Sequence, residues 1–293
     1  VGCSQDVVSH SGSRRHAPTT ARADSHPAGR LLAVALVGIA ALVAAEWCHY
    51  DYAHEARAHA ELRAAFAKLD HEMDQVRKHA KTLYSLFQRG EKKEIPLRDD
   101  APMKNAGADR LVAVVISDFR CPHCARFAQY MKEVVEPMFG EELAVTFKHF
   151  PADTTCNQRI RRTLHPKACL ASAAVEAARL LGGTDAFWKA HDAIFASPDR
   201  LRDDHFYTEL ADTLGLDQER FTEAIAAPAI LERIAEDIEL AVRIGLRGTP
   251  AVYIDGRQVP SLAREQDVFW KEIKRIDDRR RRSQQQRNEP TEP

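Results

Sequence analysis

Apolar positions along this chain fall into three successive regimes. Leu31 to Ala45 is an unbroken run of fifteen apolar or glycine residues, closed by Glu46 and Trp47. From Leu62 the large apolar residues recur at Leu62, Phe66, Leu69, Met73, Val76, Ala80, Leu83 and Phe87, in alternating steps of four and three with charged residues between them. That is the spacing of a heptad seam on one helix. From Leu111 the pattern becomes that of an α/β domain: a strand over Leu111 to Phe119, a helix to about Phe139 and a strand over Leu143 to Phe150. Helical stretches follow from about Pro166 to Ile244, interrupted by a stop at Gly182-Gly183. Then come a strand over Ala251 to Ile254, an Asp255-Gly256 hairpin turn, a short strand around Gln258 to Pro260 and a last helix over Arg264 to Ile276. This order predicts a mixed sheet with helices packed on it.

The flanking segments divide the chain further. Residues 1–30 combine Ser, Ala, Thr and His with Arg14, Arg15, Arg22 and Arg30 and show no apolar period, so disorder is expected there. The apolar run is slightly short of the roughly 17 to 25 residues of a spanning helix, but with snorkelling ends 31–47 reads as a single-pass transmembrane signal anchor. A signal peptide cleaved after Val43-Ala44-Ala45 and a buried core helix are the competing readings. Arginines before the run and Glu46, Asp51 and Glu55 after it place the N-terminus in the cytoplasm and the rest of the chain outside the inner or plasma membrane. A periplasmic compartment of that kind permits disulfides.

Residues 48–90 read as a helical stalk whose seam over 62–87 either forms a coiled coil with a second copy or packs on the chain's own domain. Cys48 lies fourteen residues before Leu62, in phase with the seam, so an interchain disulfide is expected there if the oligomer is parallel. Cys3, in the leading segment, has no role assigned. Residues 91–107 read as a linker, 108–277 as the globular domain with a helical insertion over about 152–244, and 278–293, with Arg279 to Arg282, as a disordered basic tail. Composition adds two limits. With 293 residues, 44% of them apolar, there is material for one sizeable domain plus appendages, and a net charge of −1 argues against a nucleic-acid partner.

Candidate chemistry is concentrated at Cys121-Pro122-His123-Cys124, between the strand ending near Phe119 and the helix carrying Phe127, Met131, Val134 and Val135. Free backbone N–H groups and the positive end of a helix dipole stabilise a thiolate at Cys121, and His123 can add to that. A sulfur of lowered pKa is both nucleophile and leaving group. Cys124, one turn on, is then the buried resolving partner. A lone C-x-x-C could equally bind zinc.

A second, distant motif narrows the reading. The Phe-x-Cys-Pro-His-Cys segment, the Phe147-Lys148-His149-Phe150-Pro151 strand end, the helical insertion and the run Gly245 to Gly256 together resemble the DsbA-like branch of the thioredoxin-fold disulfide oxidoreductases, from about Leu111 to Ile276. The resemblance implies a thioredoxin-like α/β fold, with Cys121, Pro122, His123 and Cys124 as the redox centre. It also implies a cis Pro250 beside the sulfurs, with the backbone of Thr249 open to an extended peptide. Cys156 and Cys169 resemble the extra structural disulfide of some members; a redox relay, or a metal site with His165, are the alternatives. One departure stands out: the superfamily's buried acid six residues before the first cysteine is Val115 here, and Asp118 is offset to the other strand face. Slower attack by Cys124 is expected unless water, Lys148 or His149 substitutes, the last two reading mainly as strand-end surface groups.

The activity implied is oxidation of protein thiols without a bound cofactor or metal. A membrane redox partner, a quinone-coupled protein in this family or another donor, would reset the enzyme. A disulfide isomerase or reductase with an oligomeric stalk is the alternative within the class. Outside it stands a non-enzymatic, membrane-tethered binding or chaperone module whose cysteines are structural or hold zinc.

Overall fold

The computed structural model describes residues 27–288, which divide into two units at Asp74 and Gln75. Helix α1 (Pro27–Arg89) starts at a proline, whose missing N–H costs nothing in a first helical turn. It therefore includes residues 27–30, expected to be disordered. In the first unit Leu62, Phe66, Leu69 and Met73 are exposed. Among the described residues no helix is long and apolar enough to cross a membrane; the side chains of residues 31–35, within the single-pass anchor expected over 31–47, lie outside what is described. Cys3 and the side chain of Cys48 lie outside what is described.

The second unit holds a five-stranded sheet of order β1-β3-β2-β4-β5. Strand β2 (Leu111–Ser117) lies parallel to β3 (Leu143–His149), with Leu111 opposite Leu143 and Ser117 opposite His149. A parallel pair needs a crossover. It is supplied by α2 (Pro122–Tyr130), a π-helical turn (Met131–Val135) and α3 (Glu136–Phe139). Strand β4 (Ala251–Ile254) runs antiparallel to β2 and pairs with β5 (Arg257–Gln258) across the Asp255-Gly256 turn. Both turn residues have positive φ, 49° and 76°, as a two-residue hairpin requires. Helix α8 (Asp267–Asn288) closes the unit. Helices α4 (Ala168–Ala196, kinked at Gly183), α5 (His205–Thr213), α6 (Gln218–Ile225) and α7 (Pro228–Arg243) are inserted between β3 and β4. The result is a thioredoxin-like α/β fold with a helical insertion.

Both faces of the sheet are covered, which is why β2 and β3 read as near-continuous apolar runs. Val114 and Ile116 pack with Leu240 and Ala241 of α7, and with Ile244 just past its end, on one face. Ala113, Val115, Val145 and Phe147 face the larger core, with Phe187, Phe269 and Trp270. Leu83 and Phe87, the end of the heptad stripe, are part of that core. The seam is thus divided: its last residues pack on the chain's own domain, while Leu62 to Val76 remain exposed.

Three further expectations are revised. The presumed linker contributes β1 (Met103–Lys104), antiparallel to β3, and a bridge between Lys92 and Arg257. The basic tail is helical to Asn288, because Asp277 accepts from Arg280 at 2.8 Å and Arg281 at 2.7 Å, one turn on. Lys148 and His149 are buried, not surface groups. Lys148 Nζ donates to Asp237 at 3.0 Å, and His149 Nε2 lies 3.0 Å from Glu176. Arg233 and Arg179 meet the same Glu176 at 2.8 and 2.6 Å. A strand buried on both faces leaves no surface at its end, so the charges arrive paired.

Candidate functional site

The site forms where β2 ends and α2 begins. Asp118 caps the turn: its Oδ1 accepts from the Arg120 N–H at 2.7 Å, and its carbonyl accepts from the Cys121 N–H at 3.1 Å. Cys121 is the N-cap of α2 with extended backbone, followed by Pro122 at the first helical position, so the chain enters the helix at the sulfur. Cys121 and Cys124 are both reduced and both buried. The peptide bond between Thr249 and Pro250 is cis, and the Thr249 carbonyl oxygen lies 3.9 Å from Cys121 Sγ. Residues 128 positions apart in the chain are thereby brought together.

Electrostatics divide the two sulfurs. The Cys121 thiol is lowered to about 5, first by a hydrogen bond from the Cys124 thiol, against the opposing effect of burial, then by the Cys124 N–H, the Thr249 side chain and the His123 N–H. Cys124 is pushed up, chiefly by burial and then by its neighbour's negative sulfur. His123 therefore acts through its backbone. Its ring Nδ1 lies 3.3 Å from Arg126 Nη2 on the exposed side of α2.

Asp118 has a second function. It is fully buried beyond the end of β2, and its Oδ2 accepts from the Ala152 N–H and from His165 Nδ1, each at 2.7 Å. The carboxylate holds His165 above its ordinary pKa. The irregular 151–167 segment is pinned to the turn before Cys121 by this pair, and to the start of α4 by a disulfide between Cys156 and Cys169 with Cα atoms 5.9 Å apart. Among the described residues no group of three or more His, Cys, Asp or Glu side chains is placed to share a metal ion.

Several neighbours carry no signal in the sequence. Arg264 precedes α8, yet its Nη1 donates to the Pro250 carbonyl and its guanidinium lies 5.6 Å from the Phe127 ring centroid. Arg126 donates to Glu265 at 2.8 Å, and the Tyr130 hydroxyl donates to Asp267 at 2.8 Å, so α2 is latched to the segment that follows β5. Behind Cys124 is a cavity of about 20 Å³, lined by Val115, Ser117, Trp188 and His191 among others. That is room for one water. His191 Nδ1 lies 2.9 Å from Asp192 Oδ1, and burial lowers the pKa of its ring. In front, a groove of about 970 Å³ opens beside Thr249 and Pro250.

Comparison with known proteins bears on this geometry. Residues 112–274 match the family model of the DSBA-like thioredoxin domain. Among curated proteins the chain is 31% identical over 150 residues to a Na(+)/H(+) antiporter NhaA of Herminiimonas arsenicoxydans, covering 51% of this chain and 21% of that one. It is 32% identical over 148 residues to an NhaA 1 of Mycolicibacterium vanbaalenii, covering 50% and 22%. The chain thus matches only about a fifth of these relatives' length. Among solved structures it is similar to the thiol-disulfide exchange protein alpha-DsbA2 of Wolbachia pipientis (TM-score 0.49, 17% identity, 69% of this chain and 96% of that one). A thioredoxin-like oxidoreductase of Silicibacter pomeroyi is also similar (TM-score 0.48, 23% identity, 62% and 94%).

Proposed function

The chain belongs to the DSBA-like thioredoxin domain family, whose members are thiol:disulfide oxidoreductases, and on that premise we propose that it introduces disulfides into protein substrates in an extracytoplasmic compartment. The carrying observation is the pairing of a Cys121 thiol lowered to about 5 with a buried Cys124. In the oxidised enzyme a substrate thiolate attacks Cys121 Sγ; the Cys121–Cys124 bond breaks, and Cys124 leaves with the electron pair and takes up a proton. A second substrate thiolate then attacks the substrate sulfur of the mixed disulfide, and Cys121 departs as a thiolate. Because that thiolate is stabilised, the reduced enzyme is favoured and the enzyme oxidises its substrates. Thr249 and Pro250 would hold the substrate backbone as an added strand. The Cys156–Cys169 disulfide would brace the segment carrying His165, and its presence supports an oxidising compartment.

Resetting the enzyme runs the chemistry backwards. The Cys121 thiolate would attack the disulfide of a membrane redox partner, such as a quinone-coupled protein, and expel one partner thiolate; Cys124, losing its proton, then attacks Cys121 Sγ, and the second partner thiolate leaves with the electron pair. Val115 provides no base for that proton. A water in the cavity behind Cys124 would pass it to His191 Nε2, left free to accept when Nδ1–H donates to Asp192. Asp192→Asn is accordingly expected to slow resolution by Cys124 in single-turnover reoxidation, while attack of substrates on the oxidised enzyme keeps its rate.

The decisive measurement is the Cys121–Cys124 potential, taken with oxidation of a dithiol peptide. A value well above the roughly −270 mV of thioredoxin is expected, and one close to it would reverse the direction assigned. The exposed Leu62, Phe66, Leu69 and Met73 support a second reading, a disulfide isomerase or reductase made oligomeric by this stripe. Sedimentation of the full chain and of Leu69→Asp distinguishes them: the isomerase reading needs an oligomer that the substitution dissolves. Ion antiport is not proposed, since the match covers about a fifth of the antiporters.

A further inference from the structure

We propose that the groove in front of Cys121 selects thiol substrates whose cysteine is flanked by acidic residues. The inference rests on the oxidoreductase reading above and names its substrate class. Of the charged side chains lining the groove, Lys93, Arg126, Arg247 and Arg264 are cationic and Glu91 alone is anionic. Glu91 is already engaged by Lys93 at 2.6 Å. Arg126 and Arg264 share the carboxylate of Glu265, at 2.8 and 3.9 Å, so two guanidinium groups are balanced by one charge. The Arg264 Nε is buried without a hydrogen-bond partner. Arg247 is exposed and has no carboxylate partner among the described residues. The positive excess therefore lies in the wall of the groove beside the reactive sulfur.

Its location relates that charge to sequence positions in a substrate. A peptide whose cysteine reaches Cys121 and whose backbone pairs with Thr249 runs as an added strand along residues 247–249. Arg247, two residues before Thr249 and lining the same groove, would meet a side chain within a few places of the substrate cysteine. A carboxylate there gains an attractive partner. A lysine there meets like charge, and complementary charge of this kind acts on encounter and orientation.

Three otherwise identical peptides, with Asp, Ser or Lys on both sides of one cysteine, test this with the oxidised full-length chain. Each rate of mixed-disulfide formation is divided by that peptide's rate with 2-hydroxyethyl disulfide, which removes differences in thiol acidity. The Asp peptide is expected to react about five- to tenfold faster than the Lys peptide in dilute buffer, a ratio that shrinks towards one in about 1 M salt. Arg247→Glu is expected to reverse the order. Equal normalised rates for Asp and Lys peptides, or an order unchanged in Arg247→Glu, overturn the inference while reaction of the Ser peptide leaves the oxidoreductase reading standing. If no peptide reacts, that reading falls and this one with it.

Discussion

Cys121 is acidic because of what surrounds it at close range, and the largest contribution comes from its own partner. Thiolate absorbance of the reduced enzyme is expected to titrate with a midpoint near pH 5, and Cys124→Ala, which deletes the main donor, is expected to move that midpoint upward by about 1 unit or more. The folded pKa lies below the ordinary value of 9.0, so the thiolate's contribution to stability is present in full above pH 9 and is lost as pH falls through about 5. Urea unfolding of the reduced form should accordingly show the advantage of the thiolate growing from pH 5 towards neutrality. Cys124, shifted the opposite way, opposes it only in alkali. His165 shows the reverse sign. Its pKa is raised by Asp118, so their pairing stabilises fully below the ordinary 6.5 and is lost as pH rises through the folded value. Imidazole NMR should place its titration above 6.5 in the parent chain and return it towards 6.5 in Asp118→Asn.

Among the elements, α1 has a single apolar stripe in two environments. Leu83 is 2% exposed and Leu62 54%. Leu83→Ala is expected to destabilise the chain by about 2 to 5 kcal/mol in urea unfolding, since it leaves a cavity in the main core. Leu62→Ala is expected to change it by about 0.5 kcal/mol or less in the isolated chain. A larger loss at Leu62, dependent on protein concentration, would instead reveal a second copy on the stripe. The heptad spacing was legible from sequence because it is a local property of one helix. Which residues of it meet the domain was not, since that depends on where the sheet lies. Helix α8 illustrates the same limit: Arg279 to Arg282 read as a charged tail, yet i,i+3 and i,i+4 pairs to Asp277 and a hydrogen bond from Arg281 to the Glu142 carbonyl keep it helical.

Across the whole domain, a buried ionic network ties together segments far apart in sequence. Asp237 of α7 meets Lys148 and the His149 N–H of β3 at 3.0 Å, and also Arg98 at 3.0 Å. Removing that carboxylate leaves Lys148 buried and unpaired, so Asp237→Ala is expected to cost about 3 to 5 kcal/mol of stability by urea or thermal unfolding, whereas the hydrophobic pair Lys148→Met with Asp237→Leu is expected to recover much of it. The strand and helix order, the hairpin at Asp255-Gly256 and the C-x-x-C pair were readable in advance because each depends on residues close in sequence: periodicity, a turn dipeptide, two cysteines one helical turn apart; the part of Pro250 came only from the family resemblance. Long-range assembly alone revealed the burial of Lys148 and His149, Asp118 as the clasp on His165, Arg264 behind Pro250, and the cations around the groove. Those features rest on Coulomb and hydrogen-bond contacts between chain segments dozens of residues apart, and no local pattern of apolar and polar positions encodes which distant partner a charge will meet.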